Sequence, residues 1–163
     1  MFSADLLDRA QALLSTLRSQ SLRVATAESC TGGLVAALLT EIAGSSDVVD
    51  CGFVTYSNAA KRGMLGVAAQ TLEAHGAVSE PTAREMALGA LARSQADIAV
   101  SITGIAGPGG GSAAKPIGLV HVACARRGHD THHRECRFAD NGRAGVRRAA
   151  ILVALDMLGA RAL

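Results

Sequence analysis

Ser46, Tyr56 and Lys61 lie ten and then five residues apart, and together they can make an acyl-transfer set. A serine attacks a carbonyl, a neutral lysine takes its proton, and a tyrosine orients or relays. The lysine is the informative member. The chain has fourteen arginines but only two lysines, Lys61 and Lys115. Arginine supplies positive charge equally well and stays protonated, whereas a desolvated lysine can be neutral and act as a base. Lys61 closes YSNAAK (56–61), which holds the single tyrosine, and Lys115 closes the glycine-rich stretch TGIAGPGGGSAAKP (103–116). That coincidence points to a site, against the plainer alternative of a coding bias towards arginine.

Two further segments offer polar backbone. In AESCTGG (27–33), Ser29, Thr31 and Gly32 join a strand to a helix, where early N–H groups stabilise an anion or a developing oxyanion. Simple N-capping is the other reading. Cys30 reads as a buried small thiol rather than a nucleophile. The loop after residue 103 carries Gly104, Gly107 and Gly109 among five glycines, whose free N–H groups suit phosphate or an oxyanion. It is not a P-loop, because Pro116 follows Lys115 where that motif needs Ser or Thr. Arg143 and Arg147 share a helix face and can meet phosphate or carboxylate, and Arg148 is a solvated helix charge. His129, His132, His133, Glu135 and Cys136 resemble metal ligands at first sight. Strand alternation divides them between two faces, so no metal site is expected. His121 sits among apolar residues as a satisfied strand histidine.

The elements that must position these residues follow from periodicity. Helices are predicted over 4–19, from Thr31 or Gly32 to Ile42, over 58–65, 69–75, 79–94 and 141–160, with Ser79 and Pro81 opening the fifth. Strands are predicted over 22–28, 48–56, 97–103, 117–126 and 130–138, the last a polar edge. Alternation of the two types implies one three-layer α/β/α domain with a mixed, largely parallel sheet of about five strands, the last two strands as antiparallel neighbours. Ligands gather beyond the carboxyl ends of strands in such folds. Those ends are Glu28-Ser29, Tyr56-Ser57 and Thr103-Gly104.

Composition narrows the function. A chain of 163 residues fits one domain, and with aromatics at 2% its core must be aliphatic. A net charge of +2 and no tryptophan give neither pull nor stacking surface for nucleic acid. No apolar run reaches a membrane span, no signal peptide opens the chain, and the four cysteines lack C-x-x-C spacing. The expected compartment is the cytoplasm.

Seven ordered stretches carry a more specific signal: AESCTGG (27–33), GSS (44–46), GFVTYSNAAK (52–61), LGV (65–67), GAVSE (76–80), TGIAGPGGG (103–111) and KPIGLV (115–120). Together they resemble the C-terminal domain family of the competence/damage-inducible protein CinA, in its stand-alone form. The resemblance implies hydrolysis of nicotinamide mononucleotide to nicotinate mononucleotide and ammonia, a salvage step in pyridine nucleotide metabolism. It implies that Ser46, Tyr56 and Lys61 are catalytic, with Ser46 favoured over Ser29 as nucleophile. Ser29, Thr103 and Arg143 would line the pocket, with Arg143 and the glycine-loop amides holding the 5′-phosphate. No metal or organic cofactor is needed, and a homo-oligomer, a dimer as first guess, is the expected assembly. The alternatives are a non-catalytic nucleotide-binding module and a Ser-Lys amidase for another small amide.

Overall fold

The computed structural model describes residues 2–139 and 141–163. Five strands, β1 (Val24–Glu28), β2 (Val49–Val54), β3 (Ile98–Gly104), β4 (Leu119–Arg126) and β5 (His132–Arg137), form one sheet in the order β2-β1-β3-β4-β5. β1 pairs in parallel with β2 and β3, while β4 runs antiparallel to both β3 and β5. Four strands therefore point one way and β4 alone opposes them. The expected mixed sheet and the antiparallel final pair are both present.

Among the described residues six helices flank the sheet or one another: α1 (Ala4–Ser19), α2 (Leu34–Thr40), α3 (Asn58–Leu65), α4 (Ala69–His75), α5 (Glu80–Ala92) and α6 (Gly142–Ala162). Period-2 alternation along the strands divides the core in two. Val24, Val100, Ile102, Val120 and Val122 pack against leucines of α1 and α2 and the apolar stripe of α6. On the other face Ala25, Ala27, Ala99, Ala123 and Ala125 meet Ala83, Met86, Ala87 and Ala90 of α5. Alanine facing alanine lets α5 lie close to the sheet. Helix α3 is drawn in as tightly, since a Cβ on Gly89 of α5 would sit 2.0 Å from the Leu65 carbonyl oxygen. This second face matters for chemistry, because α3 carries Lys61.

Helix α2 is shorter than its apolar pattern predicts. Gly32 and Gly33 take left-handed φ values of 61° and 92°, so residues 29–33 form a turn and the helix starts only at Leu34. Among the described residues no helix is long and apolar enough to cross a membrane.

Candidate functional site

The site assembles where β1, β2 and β3 end. Strand β1 leaves the sheet at Glu28, which is fully buried and bears the only carboxylate in a strand of otherwise small or apolar residues. Its Oε2 accepts from the N–H groups of Gly33 and Val35, each at 3.1 Å, and its Oε1 from Ala36 N–H at 2.9 Å and the Thr26 hydroxyl at 3.2 Å. With left-handed glycine at its start, α2 has no side-chain cap of its own, and Glu28 reaches over to satisfy its orphan donors. The turn between them carries Ser29, whose side chain faces α3.

Helix α3 starts at Ser57, whose hydroxyl accepts from Ala60 N–H at 3.0 Å, and its first turn delivers Lys61 inward. Lys61 is 1% exposed. Its Nζ lies 2.9 Å from Ser29 Oγ and donates to the Thr55 carbonyl, also at 2.9 Å. No carboxylate pairs with it among the described residues. Burial holds its amine below the ordinary lysine range, because desolvation disfavours the charged form. A neutral amine has two hydrogens and one lone pair. With one hydrogen on Thr55, the lone pair is available to the Ser29 proton. Cys30 beside it is no competitor, since burial pushes its thiol up to about 11.

The opposite wall belongs to the glycine loop and α6. Arg143, exposed in the first turn of α6, donates from Nη1 to the Gly107 carbonyl and from Nη2 to the Tyr56 hydroxyl, both at 3.1 Å. It spans the cleft mouth, and Tyr56, 63% exposed, stands at the rim rather than on the Ser29–Lys61 pair. Thr103 is buried, and its hydroxyl donates to the Ala77 carbonyl at 2.7 Å. Lys115 reaches back from the end of the loop to the carbonyls of His75 and Val78 at 2.6 and 2.8 Å. Gly104 has a packing reason of its own, as a Cβ there would meet Leu119 O at 2.8 Å. Gly109 lies exposed in open space, and Gly32 sits beside the Arg147 guanidinium. Thr31 is buried, with its carbonyl accepting from Arg147 Nη2 at 2.8 Å.

Ser46 does not join this group. It is exposed in a short 3₁₀ turn, Ser45–Asp47, that leads into β2. Strand β2 begins beside Val24, the first residue of β1, and ends beside Glu28, the last. Six residues of strand at roughly 3.3 Å each put about 20 Å between Ser46 and the end of the sheet where Lys61 works. The serine that the structure brings to Lys61 is Ser29 and not Ser46. Arg147 donates from Nη2 to the Thr31 carbonyl.

The histidine-rich strand also resolves differently. His121 is buried with its Nδ1 2.9 Å from His133 Nε2, their rings stacked with centroids 5.1 Å apart, and His133 Nδ1 lies 3.4 Å from Glu80. His132 and Cys136 occupy the other face of β5, and His129 lies in the preceding turn. Sequence reasoning missed Glu28 and the Thr55 carbonyl. An acid in an apolar strand was the readable signal for the first, since a buried charge must find partners. A backbone acceptor leaves no signal.

Comparison with known proteins is consistent across the chain. Residues 7–162 match the model of the CinA C-terminal domain. Nicotinamide-nucleotide amidohydrolase PncC of Escherichia coli (strain K12) is 51% identical over 159 residues, covering 97% of this chain and 95% of that protein. A putative competence-damage inducible protein of Caldicellulosiruptor bescii is 47% identical over 148 residues, which are 91% of this chain but 36% of that longer protein. Among solved structures, the competence/damage inducible protein CihA from Agrobacterium tumefaciens superposes with a TM-score of 0.96 at 56% identity, covering 98% of this chain and 97% of that one.

Proposed function

The chain belongs to the CinA C-terminal domain family, and from that membership and the Ser29–Lys61 geometry we propose that it is an amidase converting nicotinamide mononucleotide and water to nicotinate mononucleotide and ammonia. The observation that carries this reading is the buried amine of Lys61, 2.9 Å from Ser29 Oγ and free of any carboxylate among the described residues. A solvated lysine would be an ammonium and could not accept a proton; burial lowers the pKa of this one and so favours the neutral amine that a base requires.

Ser29 Oγ attacks the carboxamide carbon while Lys61 takes the hydroxyl proton. The carbonyl oxygen becomes an oxyanion beside the turn, where the amide N–H groups of Cys30 and Thr31 would donate to it. Collapse breaks the C–N bond, and Lys61 returns its proton to the leaving nitrogen, which departs as ammonia. Water then attacks the nicotinoyl ester, Lys61 again accepts the proton, and Ser29 is regenerated as the acid leaves. Tyr56 and Arg143 close the mouth over the ribose and phosphate. Arg143 keeps N–H groups beyond those on Gly107 and Tyr56 for the phosphate. The chain's own side chains supply each proton transfer.

The test is ammonia release from nicotinamide mononucleotide by the native protein and by Ser29→Ala and Ser46→Ala. Release is expected from the native and Ser46→Ala proteins and lost in Ser29→Ala. An active Ser29→Ala enzyme would reject the nucleophile, and an inactive native protein would reject the substrate.

A further inference from the structure

We infer that Glu28 and Arg147 are positioning residues for the proposed reaction, clamping the Ser29–Gly33 turn from its two sides so that the nucleophile and the Cys30 and Thr31 N–H groups stay aligned. The inference rests on the amidase reading for its reaction, but its geometry stands on Ser29 alone.

The turn needs such a clamp. It contains two successive left-handed glycines, Gly32 and Gly33, and the helix it opens has only seven residues and no capping side chain. Glycine leaves the backbone with its widest choice of conformations, so something outside the turn must select one. On the inner side Glu28 does this. Its carboxylate binds N–H groups at Gly33, Val35 and Ala36, and so joins the residue before Ser29 to the far end of the turn. All four of its donors approach an acceptor-only group, the Thr26 hydroxyl being the fourth. On the outer side Arg147 of α6 donates to the Thr31 carbonyl at 2.8 Å, and its Nη2 would lie 3.3 Å from a Cβ on Gly32. Holding that carbonyl fixes the plane of the Thr31–Gly32 peptide. The Ser29 carbonyl is already occupied by Gly32 N–H at 3.1 Å, and Ser29 N–H by the Ile102 carbonyl at 2.9 Å. Together these contacts hold the turn that carries Ser29 in one conformation.

The contact pattern makes glutamate specific. In Glu28→Gln one carboxylate oxygen becomes an NH₂ group, and either oxygen replaced already faces at least one backbone N–H. A donor would then meet a donor, so the turn must shift though volume is unchanged. Arg147→Met removes the outer contact, and Arg147→Lys keeps a donor that can still reach a single carbonyl.

The experiment measures two rates in folded protein. One is covalent labelling of Ser29 by a fluorophosphonate, with Ser29→Ala as the blank. The other is ammonia release from nicotinamide mononucleotide, resolved into kcat and KM. Circular dichroism and Tm establish folding. Glu28→Gln should label and turn over at least about tenfold more slowly with KM changed less than about twofold, because alignment in the transition state is lost and not substrate binding. Arg147→Met should move the same way by a smaller factor, and Arg147→Lys should recover part of the loss. Native labelling and native kcat in folded Glu28→Gln and Arg147→Met would overturn the inference. If Glu28→Gln does not fold, the Arg147 pair decides, and failure of lysine to improve on methionine counts against the clamp. A native protein that labels at Ser29 but releases no ammonia would sink the substrate assignment while leaving the labelling comparison to judge the clamp.

Discussion

The two lysines sit in contrasting environments. Lys61 is buried, has no carboxylate partner among the described residues, and keeps one hydrogen bond to a serine hydroxyl and one to a carbonyl. Lys115 is partly exposed, and two backbone carbonyls occupy its ammonium, tying the end of the glycine loop to the turn before α5. The first environment penalises charge and suits the base proposed there; the second gives the amine two backbone acceptors and makes a fastener. A lysine among arginines is therefore informative only with its solvation known. Lys115 needs lysine's length and charge, while Lys61 needs its ability to give the charge up.

Substitution by arginine separates the two roles and should have the largest effect. Lys61→Arg puts a group that stays protonated where a base is needed. Loss of a general base costs about 10²- to 10⁴-fold, so kcat should fall by at least about a hundredfold. Lys115→Arg keeps the charge and the donors, and kcat/KM should stay within about fivefold of native. The check is steady-state ammonia release for both variants, with Tm measured alongside. Equal losses would erase the distinction between base and fastener. In the native enzyme kcat/KM should rise with pH through the lowered pKa of Lys61, since only the neutral amine accepts a proton. A falling or flat limb there would assign the base elsewhere.

How much of this was legible before the structure depends on whether the information was local. Strand ends at Glu28 and Thr103 and the Ser57 start of α3 follow from alternation and capping, and they already gather the site at one edge of the sheet. The choice between Ser29 and Ser46 was not local. Both are turn serines at strand boundaries, but one leaves β1 and the other enters β2, and in parallel strands those positions lie at opposite ends. Fifteen residues of separation from Lys61 favoured Ser46, whereas the contact spans thirty-two residues to Ser29. Thr103 is another case. Its position in the site was readable, but its hydroxyl is committed to Ala77, which depends on how the α4–α5 turn folds back. The start of α2 was misjudged because hydrophobic period ignores two positive-φ glycines.

The rim gives the next effect in size. Arg143 touches Tyr56 and Gly107 but neither Ser29 nor Lys61, so it should govern phosphate binding and not the chemical step. A charge-assisted hydrogen bond is worth about 1.5–3 kcal/mol, which corresponds to roughly a ten- to hundredfold change in binding. Arg143→Ala should raise KM for nicotinamide mononucleotide by that factor with kcat little changed. Turnover of nicotinamide riboside, which lacks the phosphate, should be poor in the native protein and almost unchanged in Arg143→Ala. Equal losses on both substrates would move Arg143 from phosphate recognition to the reacting centre.

The smallest expected effect lies in the stacked pair His121 and His133. His133 Nδ1 lies 3.4 Å from Glu80 and its Nε2 2.9 Å from His121 Nδ1, so with both rings neutral one nitrogen of the pair donates and the other accepts. Protonating both rings would set donor against donor across that contact. Burial is the main reason both imidazoles titrate below the ordinary histidine range of 6.5. His121 is lowered further by His133 and Lys115 and His133 by Arg84, while Glu80 and Glu135 pull the other way. The sign follows from linkage. Below about pH 6.5 the unfolded chain binds protons that the folded chain refuses, so stability should be full above that pH and decline as pH falls towards the lowered folded values. The measurement is Tm between pH 7.5 and 5 for native protein and for His133→Gln, whose amide still can accept from His121 but does not titrate. A stability change of about 1 kcal/mol moves Tm by roughly 2–4 °C in a domain of this size, which sets the resolution required. The native curve should drop on acidification and the His133→Gln curve should be flatter. Parallel curves would show that the pair is a packing contact without titration linkage, and a native Tm that rises on acidification would reverse the sign argued from burial.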